Sequence, residues 1–539
     1  MRNYLLIVLS TLLVISCGQS QESTQASQND STQTNATQVN NNFQETHRPQ
    51  FHFSPPANWM NDPNGMVYHK GEYHLFYQHN PDSTVWGPMH WGHAVSRDMI
   101  HWEHLPIAIF PDSLGTIFSG SAVVDVNNTS GLGTKDNPAM VAIFTYHLAE
   151  AEKAGRIDYQ TQGLAYSVDN GRNWQKYEQN PVLKNPGIKD FRDPKVLWHE
   201  PSKQWIMILA VADHVEFYGS KNLTSWAKLS EFGKTYGGHG GVWECPDLFP
   251  LQVDGKQKWV MLLSINPGGP NGGSATQYFV GNFDGKAFTS DNPAKTTLWV
   301  DYGTDNYAGV TWSNVPQTDG RRLFLGWMSN WLYANEVPTS TWRSAMTVAR
   351  ELSLKNTAQG IRLVSQPVKE LASIRGESAD LKSQSISGAV DLTKSASFPI
   401  TTSEIELTFD GIDKSKDLGI ELSNAEGQKL VIGYEPASRQ FYIDRSQSGK
   451  SDFSKEFPKK QTAPRMASGN TLKVHLLIDV ASVEVFADDG QTVMTSIFFP
   501  DTNYNQLKLY AKEGTVQLTS GKITGLKSIW GGKLAMAQD

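Results

Sequence analysis

Tyr73-His74-Leu75-Phe76-Tyr77, Ala122-Val123-Val124-Asp125-Val126 and Trp259-Val260-Met261-Leu262-Leu263 are short apolar runs separated by Gly, Asn, Asp and Pro. Their β-branched and aromatic content, with turn residues on either side, predicts β-strands. From about Phe51 to residue 365 no long stretch carries a helical period. Many short strands at regular spacing imply a sandwich, a barrel or a propeller. Residues 366–400 are rich in Ser and Lys, and alternation then returns in Glu404-Ile405-Glu406-Leu407-Thr408-Phe409, Lys473-Val474-His475-Leu476-Leu477 and Ser482-Val483-Glu484-Val485-Phe486. These longer strands, polar on one face, predict an antiparallel β-sandwich as a second domain. A chain of 539 residues is long enough for two such units.

Aromatics make up 11% of the chain, with 16 Trp and 45 Gly, which suits a β-rich protein with tight turns and sugar-stacking surfaces. The net charge is -7, with no long basic run, so no nucleic-acid partner is expected. The two cysteines, Cys17 and Cys245, do not make a disulfide framework. Met1-Arg2-Asn3 and the nearly all-apolar Tyr4–Ser16 read as a secretory signal too short to span a bilayer comfortably. Its end, Val14-Ile15-Ser16-Cys17-Gly18, resembles a bacterial lipoprotein signal, with Cys17 as the lipidated residue. The alternative is an ordinary cleaved signal with an incidental Cys. Residues 18–45 are Gln, Ser, Thr and Asn with almost no apolar content, the composition of a flexible tether. The expected division is thus a signal at 1–17, a tether at 18–45, a first domain at 46–365, a linker at 366–385 and a sandwich at 386–539. The expected location is outside the cytoplasm, anchored to a bacterial membrane by lipid.

Three acidic motifs stand out: Trp59-Met60-Asn61-Asp62-Pro63-Asn64-Gly65, Phe191-Arg192-Asp193-Pro194 and Trp243-Glu244-Cys245-Pro246-Asp247. Each sets a carboxylate beside Pro or Gly and aromatic residues. Taken singly each has a plain reading: Asn-Asp-Pro-Asn-Gly is good turn chemistry, Arg192-Asp193 a structural ion pair, Glu244 a surface acid. As an ordered set they resemble glycoside hydrolase family 32, which includes fructan β-fructosidases, levanases, inulinases and invertases. Gln78 in Phe76-Tyr77-Gln78, Trp86-Gly87, Phe118-Ser119-Gly120-Ser121, Gly326-Trp327-Met328-Ser329-Asn330-Trp331 and the strand Ser482–Phe486 extend the resemblance over roughly residues 48–532.

The resemblance implies an all-β fold, a five-bladed β-propeller followed by a C-terminal β-sandwich, with a funnel on the propeller axis. Roughly 320 residues over five blades leaves about 60–65 each, a workable size for four short strands and their loops. It implies Asp62 as nucleophile, Glu244 as acid and then base, and Asp193 as the carboxylate that binds sugar hydroxyls. A retaining glycosidase needs its two working carboxyls roughly 5–5.5 Å apart, and burial with nearby negative charge is expected to raise the pKa of Glu244. Arg192 is expected to keep Asp193 ionised and oriented through charge-assisted hydrogen bonds. Asn61, Pro63, Asn64, Gln78 and Ser119 are the expected polar and motif contacts to substrate, and Trp86, Phe118 and Trp331 the apolar walls.

His90 and His93 have a spacing that could hold a metal, but no acidic third ligand accompanies them, and neither metal nor cofactor is expected. Cys245 is read as a small buried residue beside Glu244, not as a nucleophile, since no His partner motif accompanies it. The expected substrate is levan or inulin, with sucrose as a side substrate, attacked from the chain end. An endo-levanase, an invertase or a fructosyltransferase would use the same trio. A non-catalytic fructan-binding lipoprotein is the alternative of another class, disfavoured by the presence of all three acids.

Overall fold

The computed structural model describes residues 43–531. The segments 1–17, with Cys17, and 18–42 lie outside the described residues. Among those described, helix is confined to Ala149–Lys153 and three short 3-10 turns.

Residues 58–367 form five antiparallel sheets of four or five strands. Their innermost strands are Asn58–His69, Thr116–Val124, Phe191–His199, Val242–Val253 and Tyr307–Thr311. Each packs on the next and the fifth returns to the first, which closes a five-bladed propeller. Asn58 and Trp59 pair in parallel with Trp342 and Arg343, sealing the ring between the last blade and the first. The helix Ala149–Lys153 lies between the second and third strands of the second blade. Separate apolar clusters lie between neighbouring blades, for example Ile206, Phe217, Trp243, Met261 and Phe279.

All five innermost strands break register against their neighbours: at Met60/Pro63, Ile117/Gly120, opposite Ile208/Ala210, at Glu244/Asp247 and at Tyr307/Val310. A bulge swings a side chain out of the two-residue alternation. Asp62, Ser119, Asp193, Glu244 and Tyr307 lie in or beside these breaks. Asp193 and Cys245 adopt φ of 63° and 47°, strained for residues with a Cβ and held by their surroundings.

The C-terminal part is an 11-stranded assembly built around Gln506–Leu526, a 21-residue strand. Its first half pairs with Asp417–Ser423 and its second half with Ser403–Asp410, so one strand belongs to both layers of the sandwich. The core between the layers includes Ile405, Ile420, Leu422, Phe441, Leu476 and Leu509.

Two expected boundaries differ. The segment 366–385 is not a linker: Leu371 and Ile374 are buried in a 3-10 turn, and Arg375–Leu381 pairs with Gly521–Leu526. A few apolar residues spaced among Ser and Lys suffice to pin it, and an averaged composition hides them. The polar tether expected to reach residue 45 ends sooner, since Phe43 is buried and stacks on Trp530 at 3.8 Å. The two domains are also tied by buried charge. His52 bridges Asp479 and Glu484 at 2.8 and 2.9 Å, which pushes its pKa up to about 9, and Arg350 joins Glu484 to Asp301. Glu484, from the family-like strand Ser482–Ala487, therefore works at the domain interface.

Candidate active site

Asp62, Asp193 and Glu244 come from the first, third and fourth blades and meet on the propeller axis. Asp62 accepts hydrogen bonds from Ser119 Oγ at 2.7 Å and Asn61 Nδ2 at 3.0 Å. Asn61 is itself oriented by the Trp59 indole N–H at 2.7 Å. The Cys245 thiol lies 3.4 Å from Asp62 Oδ2 and 3.7 Å from Asp193 Oδ2, and the Cys245 backbone N–H donates to Asp193 at 3.1 Å. The Asp193 backbone N–H donates to Thr145 Oγ1. Cys245 thus stands between two carboxylates. Burial and their charge push its thiol well above the usual range, which keeps it protonated.

Glu244 is held differently. One oxygen accepts two N–H groups of Arg192, at 2.9 and 3.2 Å, and the other accepts the Tyr307 hydroxyl. Arg192 also donates to Asp190 at 2.6 Å. Its expected role changes accordingly: its nearest approach to Asp193 is 4.0 Å, and its hydrogen bonds hold the Glu244 carboxyl instead. With its side chain 20% exposed, against 9% for Asp62 and 5% for Asp193, Glu244 is the most open of the trio.

Burial first, then the charge of Glu244, pushes the Asp62 carboxyl above its ordinary range, with the donors Ser119, Asn61 and Cys245 pulling it back. Burial likewise raises Asp193, to about 7, against the pull of Arg192. An Asp whose pKa is higher folded than unfolded costs stability once the pH exceeds the unfolded value, and the cost grows until the folded value is passed. Asp193→Asn should therefore melt above the parent at pH 8. The gap should close toward pH 4. Parallel thermal melts from pH 4 to 8 check this, and a gap that stays constant with pH is the contrary result.

The remaining expected residues divide into two groups. Asn64 and Gln78 are 0% and 2% exposed and lie beneath the carboxylates: Gln78 donates to Asn64, and Asn64 to the Asp62 carbonyl. They brace the Asp62 backbone from buried positions. Pro63 sits in the same layer, lining with Ser119, Asp193 and Cys245 a cavity of only about 10 Å³ under the trio. Phe118 stacks on His147 at 4.2 Å, and Trp86, 44% exposed, meets its edge. Trp331 stacks on Trp59 at 5.9 Å. Sequence reasoning missed Tyr307 and Asp190. Tyr307 has no motif around it, whereas Asp190 could have been found as a second acid two residues before Arg192. His90 and His93 do not share a site: His93 packs on Phe76 and His74, and His90 lies by Phe110. His214, Glu216 and Glu231 bring ligand-type atoms within 4.8 Å of one another, but Lys228 already pairs with both carboxylates.

Residues 52–367 match the model for the N-terminal domain of glycosyl hydrolases family 32, and residues 370–525 match that for its C-terminal domain. The chain belongs to glycoside hydrolase family 32. It is 50% identical to a levanase of Bacillus subtilis over 496 residues, covering 91% of this chain and 72% of that one. It is 38% identical to an extracellular exo-inulinase of Aspergillus niger, covering 91% and 96%. The solved exo-inulinase of Aspergillus awamori superposes with a TM-score of 0.83 at 36% identity, covering 91% of this chain and 100% of that one. The family 32 hydrolase fold, propeller and sandwich, is thus confirmed in this chain.

Proposed function

We propose that this hydrolase releases fructose from the non-reducing ends of β-linked fructans by a double-displacement, retaining mechanism, with sucrose as a smaller substrate. The observation that carries the reading is the pairing of a buried, donor-supported Asp62 with a more open Glu244 held by Arg192 and Tyr307. In the first step an Asp62 oxygen bonds to C2 of the terminal fructosyl unit. The C2–O bond to the rest of the chain breaks, and the Glu244 proton goes to the departing oxygen. In the second, Glu244 takes a proton from water, the hydroxide bonds to C2, and the Asp62 ester is released. Asp193 accepts hydrogen bonds from ring hydroxyls, and these bonds strengthen as positive charge on the ring makes the hydroxyls better donors. The levanase and exo-inulinase names of the relatives support the substrate class.

Attack from the chain end is supported by the exo-inulinase names of the relatives. Levan, inulin and sucrose digested separately should each give free fructose as the dominant product from the first minutes, with slow loss of polymer viscosity. Early short oligosaccharides with a rapid viscosity drop would instead identify an endo-levanase. Comparing the levan and inulin rates also fixes the linkage preference.

The cellular placement is a separate proposal, resting on the apolar Tyr4–Ser16 stretch and Cys17. A lipid on Cys17, followed by the polar segment from residue 18, would tether the enzyme outside the cytoplasm with reach toward insoluble polymer. Cys17→Ser should shift the protein from the membrane fraction to the soluble fraction or block its maturation. Normal processing with unchanged membrane retention would refute the anchor.

A further inference from the structure

The loop that carries Trp331 has two faces. Trp331 packs on Trp59 and on Trp327, at 5.9 and 4.9 Å, and the Trp59 indole orients Asn61 beside Asp62. Two residues on, Tyr333 points the other way, into the sandwich. It is 1% exposed and clusters with Phe457, Ile497 and Phe499. The turn is closed by the N–H groups of Tyr333 and Ala334, which donate to the Asn330 carbonyl at 3.1 and 2.9 Å, so Trp331 and Tyr333 move together. Asn335, on the same loop, accepts the backbone N–H of Trp86 at 2.8 Å, which ties the exposed Trp86 to it.

The Tyr333 hydroxyl is the anchor. It donates to Asp305 Oδ1 at 2.6 Å and accepts from Arg445 Nη2 at 2.9 Å. Arg445 belongs to the sandwich strand Gln440–Gln447, is fully buried, pairs with Asp305 at 2.7 Å and stacks over Phe457 at 3.9 Å. The Phe457 ring meets Tyr333 edge-on at 5.2 Å. A tyrosine with both hydroxyl roles satisfied inside a buried ion pair has one low-energy position, and a low-dielectric setting makes leaving it costly.

We propose that Tyr333, clamped by Arg445 and Phe457 of the sandwich, is a positioning residue for sugar binding that fixes the indole of Trp331. The proposal rests on the reading of Trp331 as a wall of the sugar pocket. It gives the sandwich a role in the reaction at a distance: a side chain of one domain sets the wall that the other presents to substrate. None of these three residues touches the reacting atoms.

A set of four variants assayed on sucrose and on levan tests this. Tyr333→Phe keeps the ring and the Arg445–Asp305 pair but loses the hydroxyl, and Phe457→Leu loosens the ring from the sandwich side. Each should raise KM about three- to tenfold, the scale of one buried hydrogen bond or packing contact, with kcat within about twofold. Trp331→Ala should raise KM at least as much. In the double variant Tyr333→Phe/Trp331→Ala, the Tyr333 effect should vanish, because there is no indole left to misplace. A full, additive Tyr333 effect in the Trp331→Ala background overturns the proposal, as does a parallel fall in kcat with KM unchanged. If Trp331→Ala changes KM and the Tyr333 and Phe457 variants do not, the wall stands and the positioning role falls. If Trp331→Ala leaves KM unchanged on both substrates, the wall itself is wrong and the proposal falls with it.

Discussion

Asp62→Asn should leave a folded protein that does not turn over. The amide keeps the shape of the side chain, and the Ser119 hydroxyl, 2.7 Å away, can rotate to accept as readily as it donates. The buried negative charge, which burial and Glu244 disfavour, is removed, so the melting temperature should match or exceed that of the parent. What is lost is the nucleophile. An amide oxygen does not form the fructosyl ester, and removing a covalent nucleophile of this kind costs on the order of 10⁵-fold or more in kcat. Rates on sucrose and levan, a melting curve, and mass analysis of rapidly quenched enzyme together check the assignment. The parent should show a fructosyl adduct on the peptide containing Asp62, and the variant none. An active variant with a normal melt would mean that another group attacks C2.

Glu244→Gln should cost about 10²–10⁴-fold on sucrose and on fructans, the usual scale of general acid–base catalysis. Gln can still accept from Arg192 through its oxygen and can offer its amide group to the Tyr307 oxygen, so the neighbours keep partners. The proton for the leaving oxygen is missing. A fructoside with an activated leaving group, such as a nitrophenyl fructoside, needs little protonation, and its first step should suffer far less. Its second step still needs a base, so an intermediate should accumulate and a burst of nitrophenol should precede a slow steady state. Equal losses on sucrose and on the activated substrate, with no burst, would move the acid role to another residue. Tyr307→Phe offers a control, since it removes a donor from Glu244 and leaves the carboxyl itself in place.

The trio was legible because each acid sits in a short motif of Pro, Gly and aromatic residues with distinctive turn chemistry, and because the three recur in one order. Gln78 and Asn64 were legible as members of the site but not as its lower layer. Nothing in Phe76-Tyr77-Gln78 says that Gln78 donates to Asn64 and to the Ile117 carbonyl, a residue 39 positions away. Arg192 does act on Asp193 through its charge, but its hydrogen bonds go to Glu244, for a related reason. Sequence neighbours on a strand point to opposite faces unless a bulge intervenes, and the bulge at Asp193 is set by pairing with the strand Gln204–Val211.

Alternation and turn residues by themselves determined that this chain is all-β, since period-two patterns bury one face of a strand whatever the strand packs against. Length and the change of pattern near residue 370 determined that there are two units. Which groups share a hydrogen bond was decided only by ring closure of the propeller and its docking on the sandwich. Cys245 reaches Asp62 across 183 residues, Arg192 reaches Glu244 across 52, and Arg445 reaches Tyr333 across 112. Such contacts leave no local trace, because a side-chain hydrogen bond constrains residue type at both ends but not the spacing between them.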